Sequence, residues 1–95
     1  MSAVNLAEVL SQLAQRGLDP ERLTELVQRL DIEVVSADLS QAAGAAGLHA
    51  ATRSQGLALA DCFCLALARQ RQAEVLTADR AWLAVKVGIP VTLIR

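Results

Sequence analysis

Three acidic side chains, Glu8, Asp61 and Asp79, occupy positions from which carboxylates could do chemistry. Asp79 lies just beyond the carboxyl end of a predicted strand, the edge at which open parallel sheets bind their ligands. Asp61 begins an apolar helical stretch, which would hold its carboxylate at the rim of the core. Carboxylates brought together repel one another unless a cation lies among them, and hard divalent cations such as Mg²⁺ take clustered oxygen ligands. Asp61 and Asp79, if the fold brings them together with a further acid, would therefore favour a divalent-cation site.

Each acid also has a purely structural interpretation. Glu8 follows Asn5 by three residues, the spacing of a variant capping box in which Asn5 is the N-cap and Glu8 reaches back. Asp61 can be an acid of a first helical turn, where the helix dipole favours it. Asp79 can be the N-cap of the short helix that follows it. Position and residue type alone leave both interpretations open for each acid.

The apolar residues recur with periods that alternate between helix and strand, in the order α-α-β-α-α-β-α-β. Gly17 and Gly56 are placed to end helices, and Asp19 and Pro20 are placed to begin one. Strands separated by helices imply a parallel sheet in an α/β layered fold. Predicted helices cover about residues 4–16, 20–30, 38–54, 59–71 and 79–86, and predicted strands cover 32–35, 74–77 and 91–94.

The composition predicts one small folded domain, because the hydrophobic fraction of 54% is far above that of a disordered chain. The net charge of −1 comes without a basic stripe, so any contact with RNA would be local or shared with another chain. Cys62 and Cys64 point to opposite sides of a helix and cannot easily pair, which favours reduced thiols and a cytoplasmic protein. We expect no signal peptide and no membrane contact.

Three segments resemble the acid-bearing motifs of PIN domains. The segment SAVNLAEVL, residues 2–10, resembles the helix that carries the second acid of that family. The segment GLALADCFCLALA, residues 56–68, is similar to the helix of the third acid, and LTADRAW, residues 76–82, is similar to the strand end of the fourth. In this order the segments most resemble the toxins of VapC-type toxin–antitoxin pairs.

The resemblance implies a metal-dependent ribonuclease that cleaves RNA internally. Glu8, Asp61 and Asp79 would be its catalytic residues and would hold Mg²⁺ or Mn²⁺. Thr77 would lie outside the set of metal ligands and would hydrogen-bond a carboxylate or a metal-bound water. The alternative, that Thr77 is simply a β-branched strand residue, is slightly favoured. The expected partners are an RNA substrate, a cognate antitoxin and further copies of the chain.

The N-terminal part of the chain departs from the family pattern. Full PIN domains begin with a strand that ends in an Asp, and nothing in this sequence matches that strand. We therefore expect a partial PIN-like domain over residues 1–95, a three-layer fold with a short parallel sheet that lacks its N-terminal strand and first acid. The alternative to a ribonuclease is a non-catalytic PIN-domain remnant that acts as an interaction or dimerisation module.

Other residues with chemical potential are given structural roles. His49 is the only histidine, stands far in sequence from the acids, and is interpreted as a structural or surface residue. Trp82 could stack on a base, but a single Trp on a short helix is more often an anchor of the core. Arg80 could touch a phosphate, but we expect it to be exposed.

Overall fold

The computed structural model describes residues 1–77, 80–85 and 87–93, and the chain falls into two units, Met1–Ala37 and Asp38–Arg95. Both units combine helix with parallel backbone pairing, which confirms the predicted mixed α/β class. The prediction of one domain over residues 1–95 concerns both units together and stays a prediction. Within the described part of the chain, each helix is too short or too polar to span a lipid bilayer.

The first unit contains two helices, α1 (Ala3–Gln15) and α2 (Pro20–Arg29), which pack against each other. Gly17 follows α1 with a positive φ of +88°, a conformation that glycine adopts without steric cost. The Asp19 side chain accepts a hydrogen bond from the Glu21 N–H at 3.0 Å and caps α2, whose first residue is proline. Both helices begin and end close to their predicted positions.

The strand predicted over residues 32–35 is wrong in its extent. Only Val35 pairs, in a single parallel bridge with Ser2. The Ala3 N–H donates to the Val35 carbonyl at 2.9 Å, and the Val35 N–H donates to the Met1 carbonyl at 2.8 Å. The β-branched residues favour an extended backbone, but a ladder also needs a partner, and α1 begins at Ala3. The pairing therefore stops after one residue, and Ile32 and Val34 stay exposed.

The second unit has a core that packs α4 against α3. The helix predicted over 38–54 ends earlier than expected, because the Thr52 N–H and hydroxyl both donate to the Leu48 carbonyl and the chain tightens there into a 3₁₀ turn. Gly56, with φ +71°, ends that turn. The elements of this unit are α3 (Leu39–Ala51), a 3₁₀ helix (Arg53–Gln55), α4 (Leu59–Arg71), β1 (Val75–Thr77), a second 3₁₀ helix (Arg80–Ala84) and β2 (Val91–Leu93).

The two strands pair in parallel, with Val75 opposite Val91 and Thr77 opposite Leu93. This confirms the predicted short parallel sheet, although Ile94 lies outside the described residues. The middle of α4 is buried as predicted, and Leu65 is fully inaccessible to solvent. Leu65 belongs to one core cluster together with Ala45, Leu48, Leu57, Cys62, Ala66, Ala68, Val75, Trp82, Val85 and Ile89.

Gly44 lies where α3 comes close to α4. A Cβ atom on Gly44 would lie 3.5 Å from the Cβ atom of Ala66, so α3 and α4 are in contact at this point. A Cβ atom on Gly47 would have no neighbour within 4 Å among the described residues.

Candidate functional site

Asp61 lies in the first turn of α4 and its carboxylate caps the helix. The N-cap residue is Ala58, whose side chain has no hydrogen-bond acceptor. Instead, Oδ2 of Asp61 accepts a hydrogen bond from the Ala58 N–H at 3.0 Å, which is the backward-reaching half of a capping box. The helix-terminal interpretation of Asp61 is thus confirmed. It does not compete with a role as a metal ligand, because the carboxylate has a second oxygen.

The charge of Asp61 also acts on Cys64, one helical turn further on. Burial raises the pKa of the Cys64 thiol, and the negative charge of Asp61 raises this pKa further. Both effects disfavour the thiolate, which is the reactive form of the side chain. The pKa of Cys64 therefore depends on the charge at position 61.

Replacing Asp61 with Asn should lower the pKa of Cys64. The substitution removes the negative charge that destabilises the thiolate, while burial keeps the pKa above its ordinary value. The pKa can be read from the pH dependence of alkylation by iodoacetamide, with mass spectrometry to separate Cys64 from the buried Cys62.

Asp38→Asn is the matched control for this experiment. Oδ1 of Asp38 accepts a hydrogen bond from the Gln41 N–H at 2.8 Å at the beginning of α3, so the control makes the same chemical change at another capping position of the same unit. A Cys64 alkylation profile that is equal in Asp61→Asn and in the wild type would contradict the proposed coupling.

Glu8 lies in the second turn of α1 and is partly buried. Its capping-box interpretation is wrong, because Ser2 and not Asn5 is the N-cap. The Ser2 hydroxyl accepts a hydrogen bond from the Val4 N–H at 3.2 Å, and Asn5 is already inside the helix. The beginning of α1 therefore does not need the Glu8 carboxylate.

Asp79 lies outside the described residues, so its role and its N-cap alternative stay predictions. Thr77, the last residue of β1, is half-buried and pairs with Leu93. Beyond it, Arg80 is exposed and Trp82 belongs to the core with only 9% of its surface accessible, as predicted for both.

The predicted site residues are divided between the two units. Glu8 belongs to the first unit, whereas Asp61 and Thr77 belong to the second, on elements that pack against each other. In residues 1–77, 80–85 and 87–93 no three His, Cys, Asp or Glu side chains form a group that could hold a metal ion. His49, in the last turn of α3, is half-buried, which agrees with its structural interpretation.

Thr52 is a residue of this region that the sequence did not predict. Its hydroxyl is buried, donates to the Leu48 carbonyl at 2.7 Å, and lies 3.8 Å from the sulfur of Cys62, the neighbour of Asp61. A single threonine at the end of an alanine-rich helix has no distinctive pattern. The signal is its burial, which only the folded structure reveals.

Comparison with known proteins identifies one family. A family model described as the PIN domain matches residues 1–88, nearly the whole chain, and the match includes Glu8, Asp61 and Asp79. No curated protein and no solved structure matches the chain. Because the family model covers both units and all three acids in their expected order, the chain belongs to the PIN-domain family.

Proposed function

We propose that this protein is a metal-dependent endoribonuclease of the VapC toxin type that acts in the cytoplasm, with Glu8, Asp61 and Asp79 as its catalytic acids. Membership of the PIN-domain family indicates nuclease activity in general, and the family match over residues 1–88 is the observation that carries the proposal. The RNA substrate, the toxin role and the identity of the metal are proposals that go beyond this general nuclease activity.

The chemistry of the donor set fits Mg²⁺ or Mn²⁺. Carboxylate oxygens are the hard ligands that these cations take in proteins. Oδ2 of Asp61 accepts the hydrogen bond from the Ala58 N–H. Oδ1 of the same carboxylate would be the atom that binds the cation. When bound, such an ion would supply an activated water for attack on the RNA phosphodiester and would stabilise the charge that develops.

The second unit supports a role for Asp61 through the way it holds the side chain. α4 is anchored by its buried middle, and the Ala58 N–H fixes the carboxylate at its first turn. A short connection joins α4 to β1, and the two elements contact each other. Asp61 and Thr77 therefore lie on neighbouring elements of one unit, and Asp79 follows Thr77 by two residues in the sequence.

Thr77 is proposed as an outer residue of the site. From the end of β1 its hydroxyl would orient one of the carboxylates by a hydrogen bond, as outer partners of metal ligands do. This proposal gives Thr77 no direct contact with the substrate.

The proposal includes two protein partners, a cognate antitoxin and a second copy of the chain. Its support is the apolar surface of the first unit, in which neither α1 nor α2 contains a buried residue. Leu18, Leu26 and Leu30 each expose half of their surface or more. Large contiguous apolar patches usually mark interfaces, and these three leucines are the residues that we propose for the contact with a partner.

The test of the proposed function is metal binding together with RNA cleavage. We expect the chain to bind Mn²⁺ weakly in a calorimetric titration, because three carboxylates attract a divalent cation. Cleavage of structured RNA is then measured with Mg²⁺ or Mn²⁺. The proposal predicts cleavage that requires the metal, because the ion would activate the attacking water and stabilise the charge that develops.

A chelator is the control and should abolish cleavage. A well-folded protein that neither binds Mn²⁺ nor cleaves RNA would overturn the proposal and leave the non-catalytic interaction module as the better function. Cleavage that persists in the chelator would place the activity in a contaminating nuclease.

A further inference from the structure

A buried hydroxyl connects the end of α3 with the beginning of α4. Thr52 follows the last residue of α3 and exposes only 2% of its surface, and Cys62, in the first half of α4, exposes none. The Thr52 Oγ1 atom lies 2.7 Å from the Leu48 carbonyl oxygen and 3.8 Å from the Cys62 sulfur. These two contacts are the polar connections of the Thr52 side chain among the described residues.

The chemistry of the two groups fixes the direction of both hydrogen bonds. A threonine hydroxyl has one hydrogen, and the backbone carbonyl of Leu48 can only accept. The hydroxyl therefore donates to Leu48, and the Cys62 thiol donates to the hydroxyl oxygen. The Thr52 hydroxyl is thus hydrogen-bonded to α3 through Leu48 and to α4 through Cys62.

The segment that this contact closes contains the support of Asp61. Cys62 is the next residue after Asp61, and Ala58, which donates to the Asp61 carboxylate at 3.0 Å, lies between Thr52 and Cys62. Since the N-cap of α4 has no side-chain acceptor of its own, the Thr52–Cys62 contact is a polar constraint on its first turn that comes from outside the helix.

We propose that Thr52 is a positioning residue, whose hydroxyl acts through Cys62 to hold the first turn of α4 so that the Ala58 N–H and the Asp61 carboxylate meet. Thr52 touches neither metal nor RNA in this proposal. Its effect on metal binding rests on the proposed function, in which Asp61 is a ligand, whereas its effect on the Ala58–Asp61 hydrogen bond does not.

Two substitutions separate the hydroxyl of Thr52 from its packing. Thr52→Val keeps the shape of the side chain and removes the hydroxyl, and Thr52→Ser keeps the hydroxyl and removes the methyl group. If the hydroxyl positions Asp61, the valine variant is the impaired one and the serine variant is close to wild type. If Thr52 only fills space, this order is reversed.

The first readout is amide hydrogen exchange in the metal-free protein, measured by NMR. We expect the Ala58 N–H to exchange faster in Thr52→Val than in the wild type, relative to the amide of Leu65, which reports unfolding of the unit as a whole. Thr52→Ser should restore the slower rate. Thr24→Val is the matched control, because the Thr24 hydroxyl makes the same kind of bond, to the Pro20 carbonyl at 2.9 Å, within α2.

The second readout is Mn²⁺ affinity. Thr52→Val should weaken binding by about ten-fold, the lower end of the losses caused by removing outer partners of metal ligands. Cys62→Ala should have the same effect, and the double variant should lose no more than either single one, since both act through one contact. Thr24→Val should bind as the wild type does.

The outcomes distinguish this proposal from the proposed function. Faster exchange of Ala58 in Thr52→Val, in a protein that binds no Mn²⁺ even as wild type, would support the positioning of Asp61 and count against the metal site. Wild-type exchange of Ala58 in Thr52→Val would overturn the positioning role, whatever the metal affinity. A serine variant more impaired than the valine variant would also overturn it.

Discussion

Replacing Asp61 with Asn is expected to weaken Mn²⁺ binding and to lower metal-dependent RNA cleavage by more than about 100-fold, because a displacement of about 1 Å in a catalytic arrangement already costs that much. The amide oxygen of Asn still accepts the hydrogen bond from Ala58, so the beginning of α4 is preserved. What the variant loses is the negative charge and one hard ligand atom. Asp79→Asn is expected to have an effect of similar size.

Calorimetry with Mn²⁺ and digestion of structured RNA in the presence of the metal measure this prediction. Asp38→Asn is the control, because it makes the same change at the beginning of α3 and should leave both quantities as they are in the wild type. Mn²⁺ binding that is unchanged in the Asp61→Asn/Asp79→Asn double variant would mean that the metal binds elsewhere.

Replacing Leu65 with Asp should unfold the second unit. The side chain is fully buried in the middle of α4 and belongs to the core cluster of the second unit. An unpaired carboxylate there costs several kcal/mol, whereas a small domain has a total stability of only about 5–15 kcal/mol. Circular dichroism should show a loss of helical signal or a sharply lower melting temperature.

Leu39→Asp is the control for this second prediction. Leu39 is 86% exposed at the first position of α3, where an acid is favoured by the helix dipole, so the same substitution should be tolerated. A Leu65→Asp variant that melts at the wild-type temperature would show that the middle of α4 is not part of the core.

The elements that were predicted best are those whose signals are local. α4 covers the predicted residues 59–71, because an apolar middle and polar ends define it without reference to the rest of the chain. Asp19 and Pro20 identify the beginning of α2 in the same way. The strand predicted at 32–35 was reduced to a single bridge because pairing depends on a partner, and the partner of Val35 is Ser2, at the other end of the unit.

The candidate site shows the same division between local and distant information. Asp61 could be found because its residue type and its position at a helix start are visible in sequence. Its supporting neighbours could not, because the Thr52–Cys62 contact depends on how α3 and α4 pack. The spacing of Asn5 and Glu8 allowed a capping box as one interpretation, but the helix begins earlier, at the residue after Ser2.

The single bridge between Ser2 and Val35 has a consequence for the entropy of the first unit. It closes the chain around α1 and α2 into one loop, and the terminal amino group adds a hydrogen bond to the Glu33 carbonyl at 2.9 Å. Closing such a loop costs conformational entropy once. The segment between Ser2 and Val35 then has less conformational entropy left to lose when its helices become ordered. Because Ser2 both caps α1 and makes the bridge, fraying at this residue would release the cap and the loop closure in the same event. The order of the helix that carries Glu8 is therefore tied to Val35, a residue that contributes no chemistry of its own.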